Sequence, residues 1–140
     1  MIRKFQNRDL PRVMEIWLAS NLEAHHFVSS EYWLGKQNLV QTLLPQSNVY
    51  VFLYNGMIVG FMGLHDDFIE GLFVDRMHRS RGIGGSLMDF VKSVHGVLAL
   101  HVYKENVRAY EFYLKNGFTV SREWDDEETG KRVFEMVWQK

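Results

Sequence analysis

The segment Val74-Asp75-Arg76-Met77-His78-Arg79-Ser80-Arg81-Gly82-Ile83-Gly84-Gly85-Ser86 places basic side chains directly ahead of clustered glycines. A β-branched and aromatic run precedes it. An amphipathic stretch follows, with Ile83, Leu87, Phe90, Val91 and Val94 on one helical face. Glycine lets the backbone approach a ligand closely, and the free N–H groups and positive dipole end of a helix favour negative charge. The chemistry this suits is retention of a pyrophosphate. Two nucleotide motifs can be tested against the same residues. The dinucleotide fingerprint G-x-G-x-x-G fails because Leu87 stands where the third glycine belongs, and the triphosphate loop fails because no Lys-Ser or Lys-Thr follows the glycines. With no cysteine in the chain there is no thiol nucleophile, no disulfide and no thiolate metal site, so acyl chemistry needs a borrowed thiol or a hydroxyl. No His/Asp/Glu spacing suggests a metal site, and no nucleophile elbow is present.

The elements that must position these residues follow from periodicity. Leu10, Val13, Met14, Trp17 and Leu18 recur at i, i+3, i+4, i+7 and i+8, which predicts a helix with this face buried and Asn7 or Asp9 as cap. A second helix is predicted from Ser29 or Ser30, carrying Trp33, Val40, Leu43 and Leu44 and stopped by Pro45. Between the two lies the loop Glu23-Ala24-His25-His26-Phe27. Asn48 to Tyr54 and Met57 to His65 read as strands joined by Asn55-Gly56, a dipeptide that supplies the positive φ angles of a tight hairpin. Asp66-Asp67 turns into a third strand, Phe68 to Val74. A helix from about Gly82 to Val94 and the strand Val97 to Tyr103 follow, so this strand, helix and strand imply a right-handed crossover and a parallel pair. A helix over Glu105 to Asn116, closed by Gly117, precedes strands near Phe118 to Trp124 and Arg132 to Trp138, which flank the acidic turn Asp125 to Glu128. The expected fold is α/β (α+β), a mixed central sheet with helices on its faces.

A chain of 140 residues, 46% of them hydrophobic, fills one core, so a single domain over residues 1–140 is expected. The formal net charge of -1 argues against the broad positive field that nucleic acid or anionic membrane requires. The basic residues before Arg8 are not followed by an apolar stretch, and Val49 to Tyr54 is too short to span a bilayer, so the expected compartment is the cytoplasm.

Arg79-x-x-Gly82-x-Gly84 resembles the acetyl-CoA motif of the GNAT superfamily of N-acetyltransferases, and Asn106-x-x-Ala109-x-x-Phe112-Tyr113-x-x-x-Gly117-Phe118 resembles that superfamily's next motif. The likeness covers the whole chain in element order. It is greatest to short bacterial members with a His and a Phe two residues on in the first interhelical loop, as His25 and Phe27 stand here. The resemblance implies a GNAT-like, mostly antiparallel sheet of about seven strands with helices on both faces. It implies acetyl-CoA as donor, held by backbone groups of Leu72, Phe73 and Val74, by Arg79, Ser80, Arg81, Gly82, Ile83, Gly84, Gly85 and Ser86 at the pyrophosphate, and by Asn106. Tyr113 is implied as general acid.

The implied reaction is direct transfer to a primary amine in a ternary complex. An alkylammonium with a pKa near 10.4 must lose a proton before it attacks, and the leaving thiolate, of pKa about 8.5, gains from a proton donor. Glu70 resembles a glutamate of the aminoglycoside acetyltransferases of the superfamily. His101 stands on a strand position where many relatives carry glutamate, and its unperturbed pKa near 6.5 suits proton uptake. Glu70, His101 and a water chain remain alternative bases. His25, Phe27 and Trp33 are the expected acceptor contacts. Trp17, Tyr32, Trp124 and His26 could complete an aromatic cleft, and Asp125 to Glu128 could guide a cation. The acceptor is expected to be a protein lysine, a protein N-terminus or a small amine, and the assembly a monomer or homodimer. A non-catalytic acyl-CoA sensor or interaction module on the same fold is the rival reading.

Overall fold

The computed structural model describes Met1–Lys140. Its strands are β1 (Ile2–Lys4), β2 (Asn48–Tyr54), β3 (Met57–His65), β4 (Phe68–Val74), β5 (Val97–Tyr103), β6 (Thr119–Asp125) and β7 (Arg132–Gln139). Its helices are α1 (Leu10–Ala24), α2 (Ser30–Leu43), α3 (Ile83–Val94) and α4 (Val107–Lys115). The strands form one seven-stranded sheet in the order β1-β2-β3-β4-β5-β7-β6. Every neighbouring pair is antiparallel except β4–β5, joined through α3. This is the mixed sheet expected from the sequence.

Each face of the sheet carries its own core. Val13, Ile16 and Trp17 of α1 and Trp33 of α2 pack on Val49, Val51, Ile58 and Phe61. On the other face Ile83, Leu87, Met88 and Val91 of α3 and Tyr113 of α4 pack on Val59, Met62, Leu98, Leu100 and Met136. Alternation along β2 sends Val49 and Val51 to one face and Tyr50 to the other, as period two requires. The fully buried Leu87, Met88 and Val91 each contribute roughly 1.5–3 kcal/mol by leaving water, which fixes α3 against the sheet.

Local chemistry sets the boundaries. Asn55 and Gly56 both adopt positive φ, 51° and 78°, and close the β2–β3 hairpin. Ser29 caps α2 by accepting the Glu31 N–H, and Pro45 tightens its end into a 3₁₀ turn. The expected face of α1 is the one that packs on the sheet: Val13 and Trp17 are buried and Leu10, Met14 and Leu18 half-buried against the core, while Ile16, Ser20 and Asn21 extend the buried stripe to one side. Helix α1 also runs through Glu23 and Ala24, so the interhelical loop is shorter than expected. Leu43 at the end of α2 is 48% exposed, while Leu44, in the turn at Pro45, is buried in the core. No helix is long and apolar enough to cross a membrane.

Candidate active site

The site begins where the sheet comes apart. β4 and β5 pair only at Phe68↔Ala99 and Ile69↔Leu100. Beyond that point β4 continues against β3, with Leu72 opposite Met62, Phe73 opposite Phe61 and Val74 opposite Gly60, while its edge towards β5 is unpaired. A cleft of about 820 Å³ opens there, walled by Leu72, Phe73 and Val74, by the loop and first turn of α3, by α4 and by the end of α1.

At one end the chain bends into α3 through Arg79, Ser80 and Gly82. Ser80 and Gly82 take positive φ, 64° and 78°, and Gly82 is the residue from which the helix starts. The first helical bond runs from the Ser86 N–H to the Gly82 carbonyl, so the N–H groups of Ile83, Gly84 and Gly85 have no helical acceptor. All three residues line the cleft. The Arg79 guanidinium lies beside them and is paired with the Glu23 carboxylate of α1, which also meets Arg76 at 3.7 Å. The anion site is therefore positively charged and counterbalanced from α1. Arg81 and Ser86 do not line it. Arg81 lies over the Tyr54 ring, 5.4 Å from its centroid, and Ser86 is exposed on α3.

On the opposite wall, Asn106 caps α4 by accepting the Ala109 N–H at 3.3 Å. One face of the helix presents Phe112 and Tyr113 to the cleft. The Phe112 ring lies 3.5 Å from where a Cβ on Gly84 would stand, so the first turn of α3 seats directly on α4. Tyr113 is 8% exposed, and burial pushes its phenol up to about 12, so it keeps its proton at neutral pH.

The end of α1 supplies the remaining wall. His25 lines the cleft, hydrogen-bonded to Asn21 and to Asn106. Burial pushes its imidazole down to about 4, which leaves it neutral at pH 7. Around it stand Trp33, stacked at 5.1 Å, and Phe27 and Tyr103, both edge-on at 5.7 and 5.0 Å; of the expected acceptor contacts only His25 lines the cleft, Trp33 being buried in the core and Phe27 packed behind the imidazole. Tyr32 donates to Glu128 at 2.5 Å and Lys36 to the same carboxylate at 3.0 Å, which ties the acidic β6–β7 turn to α2. Expectation and structure part at the two base candidates. Neither Glu70 nor His101 lines the cleft. Glu70 occupies a bulge in β4 and accepts from Ser47 at 2.7 Å. His101 is 40% exposed, meets Glu135 at 3.3 Å and is flanked by Phe68 and Trp124. Trp124 therefore belongs with His101 and not with the His25 cluster, while Trp17 packs edge-on to Trp33 within the core.

Asn21, Glu23 and Tyr103 are wall or support residues that the sequence does not single out, whereas Phe112 stands in the motif that begins at Asn106. The one available signal is Asn21, a buried polar side chain falling on the helical stripe of Val13 and Trp17.

The acetyltransferase (GNAT) domain family matches residues 45–120. The chain is 35% identical to the peptidyl-lysine N-acetyltransferase YiaC of Escherichia coli K12, over 99% of this chain and 96% of that protein. It superposes on the solution structure of apo YjaB from Escherichia coli with a TM-score of 0.88 at 28% identity, covering 99% of this chain and 96% of the other. A PaiA N-acetyltransferase from Thermoplasma acidophilum, solved in complex with coenzyme A, shares the fold with a TM-score of 0.81 at 18% identity, covering 100% and 98% of the two chains.

Proposed function

We propose a reaction from one premise: this chain belongs to the GNAT family of acetyltransferases and is an N-acetyltransferase. The reaction is transfer of the acetyl group of acetyl-CoA to the side-chain amine of a peptidyl lysine, carried out by a single domain over residues 1–140 in the cytoplasm. The observation that carries it is the cleft at the β4–β5 splay. It combines an anion cradle, an unpaired strand edge and a protonated phenol in one continuous wall.

The residues fit the donor. The Ile83, Gly84 and Gly85 N–H groups and Arg79 match a pyrophosphate, which displaces Glu23 from the guanidinium. The edge of β4 at Leu72–Val74 can hydrogen-bond the amide-bearing arm as a further strand would. Asn106, at the start of α4, stands beside that path. The lysine acceptor is supported by the relatives' activity and by the aromatic wall of His25, Phe27, Trp33 and Tyr103, next to the acidic turn. An aromatic and acidic surface attracts a cationic side chain.

In the transfer the amine nitrogen bonds to the acetyl carbon and the C–S electron pair leaves on sulfur. Tyr113 gives its proton to that sulfur and is reprotonated from solvent. A thiolate formed beside Tyr113 is desolvated by the same walls. In matched surroundings phenol and thiol differ by roughly 2 kcal/mol, small enough for the proton to move as the bond breaks. The ammonium of the acceptor loses its proton through water to His101 or Glu70, both exposed on the α2 side of the sheet.

Isothermal titration with acetyl-CoA, CoA and NAD, repeated on Arg79→Ala/Gly84→Asp, tests the donor, and mass spectrometry of a lysine peptide tests transfer. Micromolar acetyl-CoA binding lost in the double variant, NAD silent, and a 42 Da gain on lysine (about one acetyl for one hydrogen) is the expected result. Binding without product would make the chain a sensor, and no binding of either CoA species would overturn the reading.

A further inference from the structure

A chain of four hydrogen bonds, one of which crosses between the elements, links α1 to α4 along the cleft wall. The Asn21 side-chain N–H donates to the Trp17 carbonyl at 2.9 Å, and Asn21 Oδ1 meets His25 Nδ1 at 2.9 Å. His25 Nε2 meets Asn106 Nδ2 at 3.1 Å, and Asn106 Oδ1 accepts the Ala109 N–H at 3.3 Å. The direction of every bond is forced by the two ends, because a backbone N–H can only donate and a carbonyl can only accept. Ala109 obliges Asn106 to present its oxygen to the helix and its NH₂ to His25. Nε2 must then accept, so the imidazole proton sits on Nδ1. Asn21 must turn its oxygen to His25 and its NH₂ to Trp17.

From this relay we infer that Asn21 and His25 are positioning residues for the transfer: they hold the Asn106 cap, and with it the start of α4, in register with the aromatic wall. The inference rests on the proposed function, in which Asn106 and Tyr113 serve the coenzyme and the wall serves the acceptor. Asn21 is 3% exposed, and its amide spends both polar atoms on the relay. His25 is the hub. It is bonded to Asn21 on its own helix and to Asn106, 81 positions further along the chain, and packed on Phe27 of its own loop and on Trp33 and Tyr103 from two further segments. A shift of α4 on coenzyme binding therefore moves the wall that meets the acceptor. Holding both ring nitrogens in fixed roles also leaves His25 no lone pair for the substrate amine, so it orients and does not act as base.

Two variants separate the relay from simple packing. His25→Phe keeps a ring for Trp33 and Tyr103 and removes both hydrogen bonds. His25→Gln can accept from Asn106 and donate to Asn21, and so restores them. Side-chain ¹H–¹⁵N correlation of the wild-type protein at neutral pH is expected to show His25 protonated on Nδ1 and bare on Nε2; the opposite tautomer would overturn the relay. In His25→Phe the Ala109 amide resonance is expected to shift and acetyl-CoA to bind about tenfold more weakly, whereas His25→Gln stays within about twofold of wild type. Equal behaviour of the two variants would reject the inference. A wild-type protein that binds no acetyl-CoA would count against the proposed function instead, and the tautomer together with the Ala109 resonance would still decide the relay.

Discussion

On the α3–α4 side of the cleft, much of what is offered to a ligand is backbone: the unpaired edge of β4 at Leu72–Val74 and the N–H groups of Ile83, Gly84 and Gly85, all from one stretch of chain. On the α1–α2 side the groups are side chains: His25 lines the cleft, with Phe27 from the loop, Trp33 from α2 and Tyr103 from β5 packed around it and Glu128 of the β6–β7 turn tied to α2. A backbone site is dictated locally and tolerates most substitutions that preserve glycine. A side-chain wall assembled from distant segments depends on packing and changes with each residue in it. The donor end of such a protein is therefore constrained and the acceptor end free to vary.

Gly84→Asp should break the backbone wall most completely. It sets a carboxylate in the anion cradle and crowds the Phe112 ring, already 3.5 Å from a Cβ at this position, so acetyl-CoA binding should fall by at least about a hundredfold on titration. Acid should then distinguish the other wall. The folded His25 binds its proton only near pH 4, whereas an unfolded histidine does so near 6.5. The unfolded state thus takes up the proton first, and stability falls as pH drops from about 6.5 towards 4, by on the order of 3 kcal/mol. Denaturation midpoints of wild type and His25→Gln, compared across that window, should move apart as pH falls, because the glutamine variant has no imidazole to protonate. Tyr113→Phe should lower kcat about a hundredfold while acetyl-CoA affinity is retained, measured by titration and by steady-state turnover of a lysine peptide. Phe27→Ala opens the aromatic wall beside Tyr103 and should raise the acceptor KM about tenfold with donor affinity unchanged; a matching loss of donor affinity would erase the distinction between the walls. The smallest effect is expected from Glu23→Gln. Freeing Arg79 from its counterion should tighten acetyl-CoA about threefold in low salt and less in high salt.

The same contrast explains what could be read in advance. The Arg79-x-x-Gly82-x-Gly84 and Asn106 to Phe118 segments announce their roles because the donor wall is contiguous in the chain, and its main elements fall within one or two residues of the positions expected from periodicity and turn chemistry. The β2–β3 and β4–β5 pairings followed from the hairpin at Asn55-Gly56 and the crossover through α3, whereas the insertion of β7 between β5 and β6 did not. His101 and Glu70 attracted attention as titratable residues on the right strands. Their side chains nonetheless project outside the cleft, because β4 bulges at Glu70 and alternation along β5 sends Leu100 and Val102 inward and His101 out. Glu23 carries no local pattern, and Asn21 only its place on the buried stripe of α1. Their partners, Asn106 and Arg79, lie on other elements, and only the folded chain brings them together.

The brief pairing of β4 with β5 has a dynamic consequence. The sheet consists of two antiparallel ladders, β1 to β4 and β5-β7-β6, joined by a seam at Ile69 and Leu100. Each ladder is held by many cross-strand bonds, whereas the seam has few, so native-state amide exchange near Ala99 and Leu100 should report openings below the global unfolding free energy. An extended ligand lying in the splay adds hydrogen bonds on the open side of β4 and rests on α4 beyond it. It becomes an extra strand between the ladders, and its departure restores the freedom of one half of the sheet to breathe against the other.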